Sequence, residues 1–536
     1  MLTYGFTNIS SKRDFQLARN MDIFFSMIRE ISLFYVDETE PQELIENAID
    51  GLLSGLDPYT TYIPESEKEN YATMTTGRYG GIGALIRQVD DYVMIIEPYE
   101  NYPAHKAGLR AGDIITGIGG KSTKGLLGNE ISELLKGPPQ SRINITIQRN
   151  NEPDPITKSI TRVEVKIDNV AWYGTVADQI GYIQFNGFTE NAHQEVRDAM
   201  KYLERSHGIK SVILDVRGNP GGLLMEAVNI TNLFVDKGED IVSTRGKLKQ
   251  WDNTYRARNK PLDPDIPVVV LVGNSSASAS EIVAGAFQDL DRGVLIGQRT
   301  FGKGLIQTTR QLSYNAQLKI TTAKYYTPSG RSIQAMDFSN DSANSYMPDS
   351  LINEFRTKGG RIVYDGGGIM PDIEIKEKRA SPVVFNLYTR NHIFNYATHY
   401  AANNSEIPPV SSFHISEVEY KGFIDYLEDV DFDYQTQTEA SLKKLISAAK
   451  LEQYYDLSSD LFQELEERIR YDKKNDLETY KDDIKALLRE EIASRYYYQK
   501  GRIEASLAGD PYIEKAIEIL KNRQIYNSIL AGSMKF

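Results

Sequence analysis

An α/β core flanked by a small β-rich domain and an all-helical end is the architecture that this 536-residue chain predicts. Three observations carry it. Short apolar strands at 183–185, 211–214, 268–272 and 294–296 alternate with helical stretches at 193–205 and 281–290, the rhythm of a largely parallel sheet with crossover helices. Between 77 and 165, strand-like runs at 92–96 and 143–148 alternate with glycine-rich turns, which reads as a separate small mixed domain. From 381 onward the chain is charged and helical in pattern, and neither Gly nor Pro interrupts 457–500.

In chain order, residues 14–35 read as a helix with Phe24, Phe25, Ile28, Ile31 and Leu33 on its apolar side. Pro41 opens a second helix, where Leu44, Ile45, Ala48, Ile49 and Leu52 keep helical spacing until Gly55-Leu56-Asp57-Pro58 ends it. The expected division is an N-terminal helical region at 1–75, the small domain at 76–166, the α/β core at 167–380 and a C-terminal helical extension at 381–536. A polar stretch at 339–365 interrupts the core and reads as a loop or insertion.

Composition narrows the chemistry. Sixty-one Lys and Arg against 74 Asp and Glu give a net charge of −13, which disfavours general binding to nucleic acid or anionic membranes. Cysteine is absent, which excludes disulfides, thiol catalysis and cysteine metal sites. The six histidines never fall in an HExxH pattern, and no metal site or cofactor is expected. No apolar run approaches the ~18 residues of a membrane helix. The first residues, Met1-Leu2-Thr3-Tyr4-Gly5, do not read as a secretory signal.

Three segments remain as candidates for chemistry. In Asn274-Ser275-Ser276-Ala277-Ser278-Ala279-Ser280-Glu281, serines lie at a turn from a buried strand into an apolar helix. Such a turn can present a hydroxyl beside the N–H groups of a helix start, and it can equally be a serine-rich N-cap. Lys303 sits between Gly302 and Gly304 in an apolar setting, where desolvation would let its amine act as a base; the competing reading is a solvated lysine in a turn. Gln307, four residues on, could orient it. In Leu214-Asp215-Val216-Arg217-Gly218-Asn219-Pro220-Gly221-Gly222, a strand ends in a glycine pair able to aim N–H groups at a ligand oxygen, or simply in a tight turn.

Taken together and in this order, the segments resemble the carboxyl-terminal processing (tail-specific) proteases, serine peptidases that use a Ser–Lys pair. Ser276–Ala286 (SASASEIVAGA), Thr300–Gln307 (TFGKGLIQ), the TAKYYTPSGRSIQ run at 322–334 and Gly368-Ile369-Met370-Pro371-Asp372 share the pattern. The resemblance implies an α/β core of the ClpP/crotonase-like type with an inserted PDZ domain. It makes Ser278 the nucleophile, at the family's spacing from Lys303, with Lys303 the general base and Gln307 its holder. The N–H of Ala279 and one from Gly221 or Gly222 would form the oxyanion hole. The small domain resembles a PDZ module through Gly80-Gly81-Ile82-Gly83-Ala84, its carboxylate-binding loop, and the PAHKAGLRAGDII run at 103–115.

The function implied is a serine endopeptidase that captures the free C-terminus of protein or peptide substrates and cuts by a Ser–Lys mechanism; the alternative is a non-catalytic binder of C-terminal peptides on a peptidase-like fold. Family members usually work in the periplasm or cell envelope, which is the expected compartment. The resemblance covers residues 30–375. The extension at 381–536 lies outside it and could pair with a second copy or recruit an adaptor.

Overall fold

The computed structural model describes residues 11–150, 152–338, 345–346, 352–376, 379–430 and 432–534. Its central element is a six-stranded sheet in the order Val170–Ala177, Ile180–Phe185, Ser211–Asp215, Val268–Val272, Val294–Gly297, Ile373–Glu374. The first two strands pair antiparallel and the rest are parallel. The run Val268–Val272 is apolar throughout because both faces of the sheet are covered. Side chains alternate across a strand, so Val268, Val270 and Val272 meet the helices Ala192–His207, Leu224–Thr231 and Ala279–Asp289, while Val269 and Leu271 face the other way.

What covers that other face comes from the far end of the chain. Helices Pro511–Lys521 and Arg523–Leu530 lay Ile513, Ala516, Ile519, Leu520 and Ile529 on Ile180, Ile213, Val269, Leu271 and Ile296. The buried Tyr526 hydroxyl donates to the Val268 carbonyl at 3.1 Å and lies 3.0 Å from the Val268 N–H. The last two helices therefore belong physically to the sheet layer rather than to the rest of the helical extension.

A second, antiparallel sheet brings the candidate base to the core. Leu305–Gln311 pairs with Gln317–Tyr326, which also pairs with Thr61–Ile63 and with Asp240–Gly246. The polar stretch read as a loop or insertion contains a hairpin, Glu354–Arg356 against Ile362–Tyr364. It is tied to the core by Arg361, which bonds Asp291 at 2.6 Å and Asp372 at 2.7 Å. Residues 339–344 and 347–351 of that stretch lie outside the described residues.

The small domain has the sheet order Ala84–Val89, Tyr92–Pro98, Ile114–Ile118, Arg142–Gln148, Ile156–Thr161, with Ala84–Val89 at an edge and the helix Gly128–Leu135 beside it. Val93, Ile95, Ile115, Ile131, Ile145 and Ile147 form its core. The antiparallel ribbon of Arg78–Gly81 and Val163–Lys166 carries the chain in and out.

The helices from Pro382 to Ser506 pack mostly around their own core, including Leu387, Ile393, Phe423, Ile484, Leu488 and Ile492. They also grip the small domain. The His105 Nε2 and the Tyr498 hydroxyl lie 2.7 Å apart, and Arg502 reaches Glu97 at 3.5 Å. The long helix is interrupted at Tyr498, whose φ of 55° is left-handed.

Candidate active site

Ser278 sits between the strand Val268–Val272 and the helix Ala279–Asp289, with φ 55° and ψ −111°. A non-glycine residue in such a conformation costs about 1–3 kcal/mol and persists only where its surroundings enforce it. Its neighbours account for the enforcement. Ser276 Oγ donates to the Val216 carbonyl at 2.7 Å, and Ser280 Oγ donates to the Asn219 carbonyl at 2.9 Å. Both are fully buried. Two of the repeated serines thus staple the helix start to the glycine turn, and among the described residues only the Ser278 hydroxyl of these three makes no hydrogen bond.

Glu281 ties this turn to the lysine loop. Its carboxylate is completely buried and accepts from the N–H of Ser278 (2.9 Å), Lys303 (2.8 Å) and Gly302 (2.7 Å) and from the Thr300 hydroxyl (2.6 Å). One oxygen, Oε2, receives both the Ser278 and the Lys303 N–H. Desolvation raises its pKa to about 7, against the effect of the four donors. On the carbonyl side, the buried Tyr325 hydroxyl lies 3.1 Å from the Ser278 oxygen and 2.5 Å from the Lys303 oxygen. One carboxylate and one phenol therefore grip the backbones of both candidate residues.

The Lys303 ammonium stands 4.4 Å from the centre of the Tyr59 ring. Its pKa is lowered from 10.5 to about 8, chiefly by desolvation and next by the like charge of Lys319, while Glu281 and Asp57 oppose the shift. Tyr59 is delivered by a turn in which Asp57 Oδ1 accepts from the N–H of Tyr59 at 2.9 Å and of Thr60 at 3.0 Å. Gln307 Nε2 donates to Thr321 Oγ1 at 3.1 Å, and Thr321 Oγ1 in turn donates to Asp57 Oδ1 at 3.1 Å. Gln307 is thus joined to Lys303 through the Tyr59 turn and not by a hydrogen bond of its own. Nor does a hydrogen bond join Ser278 Oγ to Lys303 Nζ among the described residues.

The glycine turn is seated directly on Ser278. A Cβ at Gly221 would fall 2.9 Å from Ser278 Cβ and 2.6 Å from the Ala277 carbonyl oxygen, so only glycine fits there. The Gly221 N–H donates to Asn219 Oδ1 at 2.9 Å. Among the described residues, the N–H groups of Ala279 and Gly222 donate to nothing in the protein. In the small domain, Ile82 is buried in the core and its carbonyl accepts from Ala104 N–H at 2.8 Å, while the Gly83 carbonyl accepts from Tyr99 N–H at 2.9 Å. Gly80 accepts from Gly137 N–H at 3.1 Å. Gly81 ends the ribbon strand and Ala84 begins the edge strand Ala84–Val89, so the GGIGA loop opens at the end of that edge.

A profile described as peptidase family S41 matches residues 179–343, and a PDZ domain profile matches 94–149. A carboxy-terminal-processing protease of Bartonella bacilliformis is 39% identical over 329 residues, spanning 61% of this chain and 74% of the relative. The chain belongs to the S41 carboxy-terminal-processing proteases. The carboxy-terminal processing protease CtpA of Bacillus subtilis (strain 168) is 35% identical over 56% of the chain, which spans just under two thirds (64%) of that relative. The solved structure of a photosystem II D1 C-terminal processing protease is 30% identical, with 65% of this chain and 86% of that chain covered and a TM-score of 0.35. This S41 chain is accordingly a serine-type peptidase with a PDZ domain. Its extension also has relatives: a profile described as the C-terminal helical domain of a probable PDZ-protease matches 383–520. The extension, read as lying outside the protease resemblance, thus matches a profile of its own.

Sequence reasoning missed most of the support around the S41 site. Glu281 ends the SASASE run three residues after Ser278, the spacing of a capping pair, and that pattern was its one available signal. Tyr325 lies within the TAKYYTPSG run without anything to mark its hydroxyl. Tyr59 follows Asp57-Pro58 more than 240 positions before the lysine it underlies, and no local pattern reports such a contact.

Proposed function

We propose that Ser278 and Lys303 are the catalytic pair of a C-terminal processing endopeptidase whose PDZ domain captures the substrate's free carboxylate. The observation that carries this reading is the environment of Lys303: an amine drawn down to about 8 by burial, with no anion paired to it among the described residues, in a loop braced to the backbone of an unengaged serine hydroxyl. In its neutral form the amine leaves Tyr59, takes the Ser278 proton as Oγ attacks the scissile carbonyl, and returns it to the departing amine. Water then opens the acyl-enzyme with the same residues in the same roles.

The N–H of Ala279 and of Gly222 receive the oxyanion. Of the two glycines, Gly222 is the one favoured, because the Gly221 N–H is already given to Asn219. Each such donor is worth about 2.7–4 kcal/mol in the transition state. Gln307 acts at one remove, by holding the turn that carries Tyr59. The core is read as the ClpP/crotonase-like type, which the stacked parallel sheet and crossover helices support.

In the PDZ domain, the substrate tail adds to the open edge of Ala84–Val89 and its carboxylate meets the N–H groups of the GGIGA loop. The test is cleavage of an unfolded polypeptide bearing either a free or an amidated C-terminus. The free tail is expected to be cut in a Ser278-dependent manner, with KM at least severalfold lower than for the amidated tail. Equal KM values for the two substrates would discard the capture step. Cleavage that survives Ser278→Ala would discard the catalytic assignment.

A further inference from the structure

Arg217, in the glycine turn beside Ser278, is held from two directions. From its own strand, Asp215 Oδ2 accepts from its Nη2 at 2.6 Å and its Nε at 2.9 Å. From the far end of the helical extension, Asp510 Oδ2 meets the same Nη2 at 2.8 Å, and the guanidinium lies 4.7 Å from the centre of the Tyr512 ring. Arg217 and Asp510 side chains are only 24% and 16% exposed, so this is not a surface ion pair diluted by water. The two oxygens of Asp510 serve different elements. Oδ1 caps the helix Pro511–Lys521 by accepting from Tyr512 N–H at 2.8 Å, while Oδ2 is directed at the arginine.

The turn that follows Arg217 is held at several points. Gly218 and Gly221 have φ of 70° and 99°, left-handed positions that place no side chain to pack. The Asn219 carbonyl holds Ala277 N–H at 3.1 Å and Ser280 Oγ at 2.9 Å, and Asn219 Oδ1 holds Gly221 N–H. These bonds fix the far side of the turn to the serine segment. At Gly222 the backbone is bridged to Phe188, whose N–H donates to the Gly221 carbonyl at 3.3 Å and whose carbonyl accepts from Leu223 N–H at 2.8 Å, and the start of the turn is held by Arg217, clamped to a helix that Ile513, Ala516, Ile519 and Leu520 glue to the sheet.

We propose that Asp510, acting through Arg217, is a positioning residue that sets the Gly222 N–H for the oxyanion, which makes the end of the helical extension a working part of the peptidase site. This rests on the assignment of Ser278 and Gly222 above. A hydrogen-bond donor helps the transition state only if it already lies where charge develops, and a displacement of the order of 1 Å can cost about a hundredfold. Neutralising Asp510 leaves Arg217 paired with Asp215, so the arginine loses one of its two carboxylate partners while the other bonds of the turn remain.

The experiment is Asp510→Asn in the full chain, assayed on a free-tailed polypeptide beside Ser278→Ala. Asparagine caps a helix as well as aspartate does, so the helix keeps its cap while the charge facing Arg217 is lost. The expected result is a kcat reduced by roughly tenfold at unchanged KM, with the melting temperature held, partial recovery in Asp510→Glu, and a smaller loss in kcat for Tyr512→Leu. Wild-type kcat in Asp510→Asn, or a loss that appears in KM or only in step with a lowered melting temperature, would overturn the proposal. If Ser278→Ala is inactive while Asp510→Asn is fully active, this inference alone fails. If Ser278→Ala still cuts, the catalytic assignment beneath it fails.

Discussion

Lys303→Met is expected to give a folded protein whose turnover falls by about three orders of magnitude or more, because the proposed mechanism makes this one amine both the general base and the acid for the leaving amine. Methionine keeps an apolar stem over Tyr59 and removes only the amine. The fold should not suffer. The charged amine is disfavoured in the native state, where its pKa is about 8 against 10.5 for the free side chain. The unfolded chain therefore binds the extra proton more readily, and stability rises with pH between about 8 and 10.5. At neutral pH the substitution relieves that cost, so the melting temperature is expected to stay level or rise. Differential scanning calorimetry together with a cleavage assay checks both halves. A variant that keeps more than a tenth of wild-type turnover would show that Lys303 is not the base.

Glu281→Gln should be nearly as damaging, for a different reason. Each carboxylate oxygen accepts from two donors, Thr300 Oγ1 and Gly302 N–H on one and Ser278 and Lys303 N–H on the other. A carboxamide offers one acceptor oxygen and one nitrogen that can only donate, so two buried donors would face a third. Leaving buried donors unsatisfied costs about 1–3 kcal/mol each. The expected outcome is a stability loss of about 2–4 kcal/mol in urea unfolding and a fall in kcat of a hundredfold or more, since the nucleophile turn and the lysine loop lose their shared anchor. Because burial pushes the Glu281 carboxyl up to about 7, the activity of the wild-type enzyme is expected to drop more steeply below that pH than loss of neutral Lys303 alone would give. Wild-type stability and turnover in Glu281→Gln would contradict the brace.

How much of this was legible in the sequence differs by the range of the interaction. The core strands announced themselves because Val268–Val272 is apolar at every position, and that composition already requires cover on both faces. What supplied the second cover was not legible: Ile513, Ala516 and Ile519 keep ordinary helical spacing, and nothing local says which sheet they meet. The antiparallel sheet carrying Leu305–Gln311 leaves no clear sequence signal, because Gln317–Tyr326 and Asp240–Gly246 mix polar and apolar residues without clean alternation. In the candidate site, motif order points to Ser278, Lys303 and the glycine pair, and the structure brings their three segments together. The residues that set their chemistry were hidden, because Glu281 acts through backbone N–H groups and Tyr59, Lys319 and Asp510 through contacts far apart in the chain.

The lowered pKa of the amine at 303 is the claim on which the rest depends, and it can be titrated directly. Lysine labelled with carbon-13 at Cε, with Lys303→Met to assign the signal, gives the protonation curve of this one side chain by NMR. A midpoint near 8 that coincides with the acid limb of kcat/KM is the predicted result. A midpoint near 10.5, the value of a solvated lysine, with activity already full at neutral pH, would contradict it.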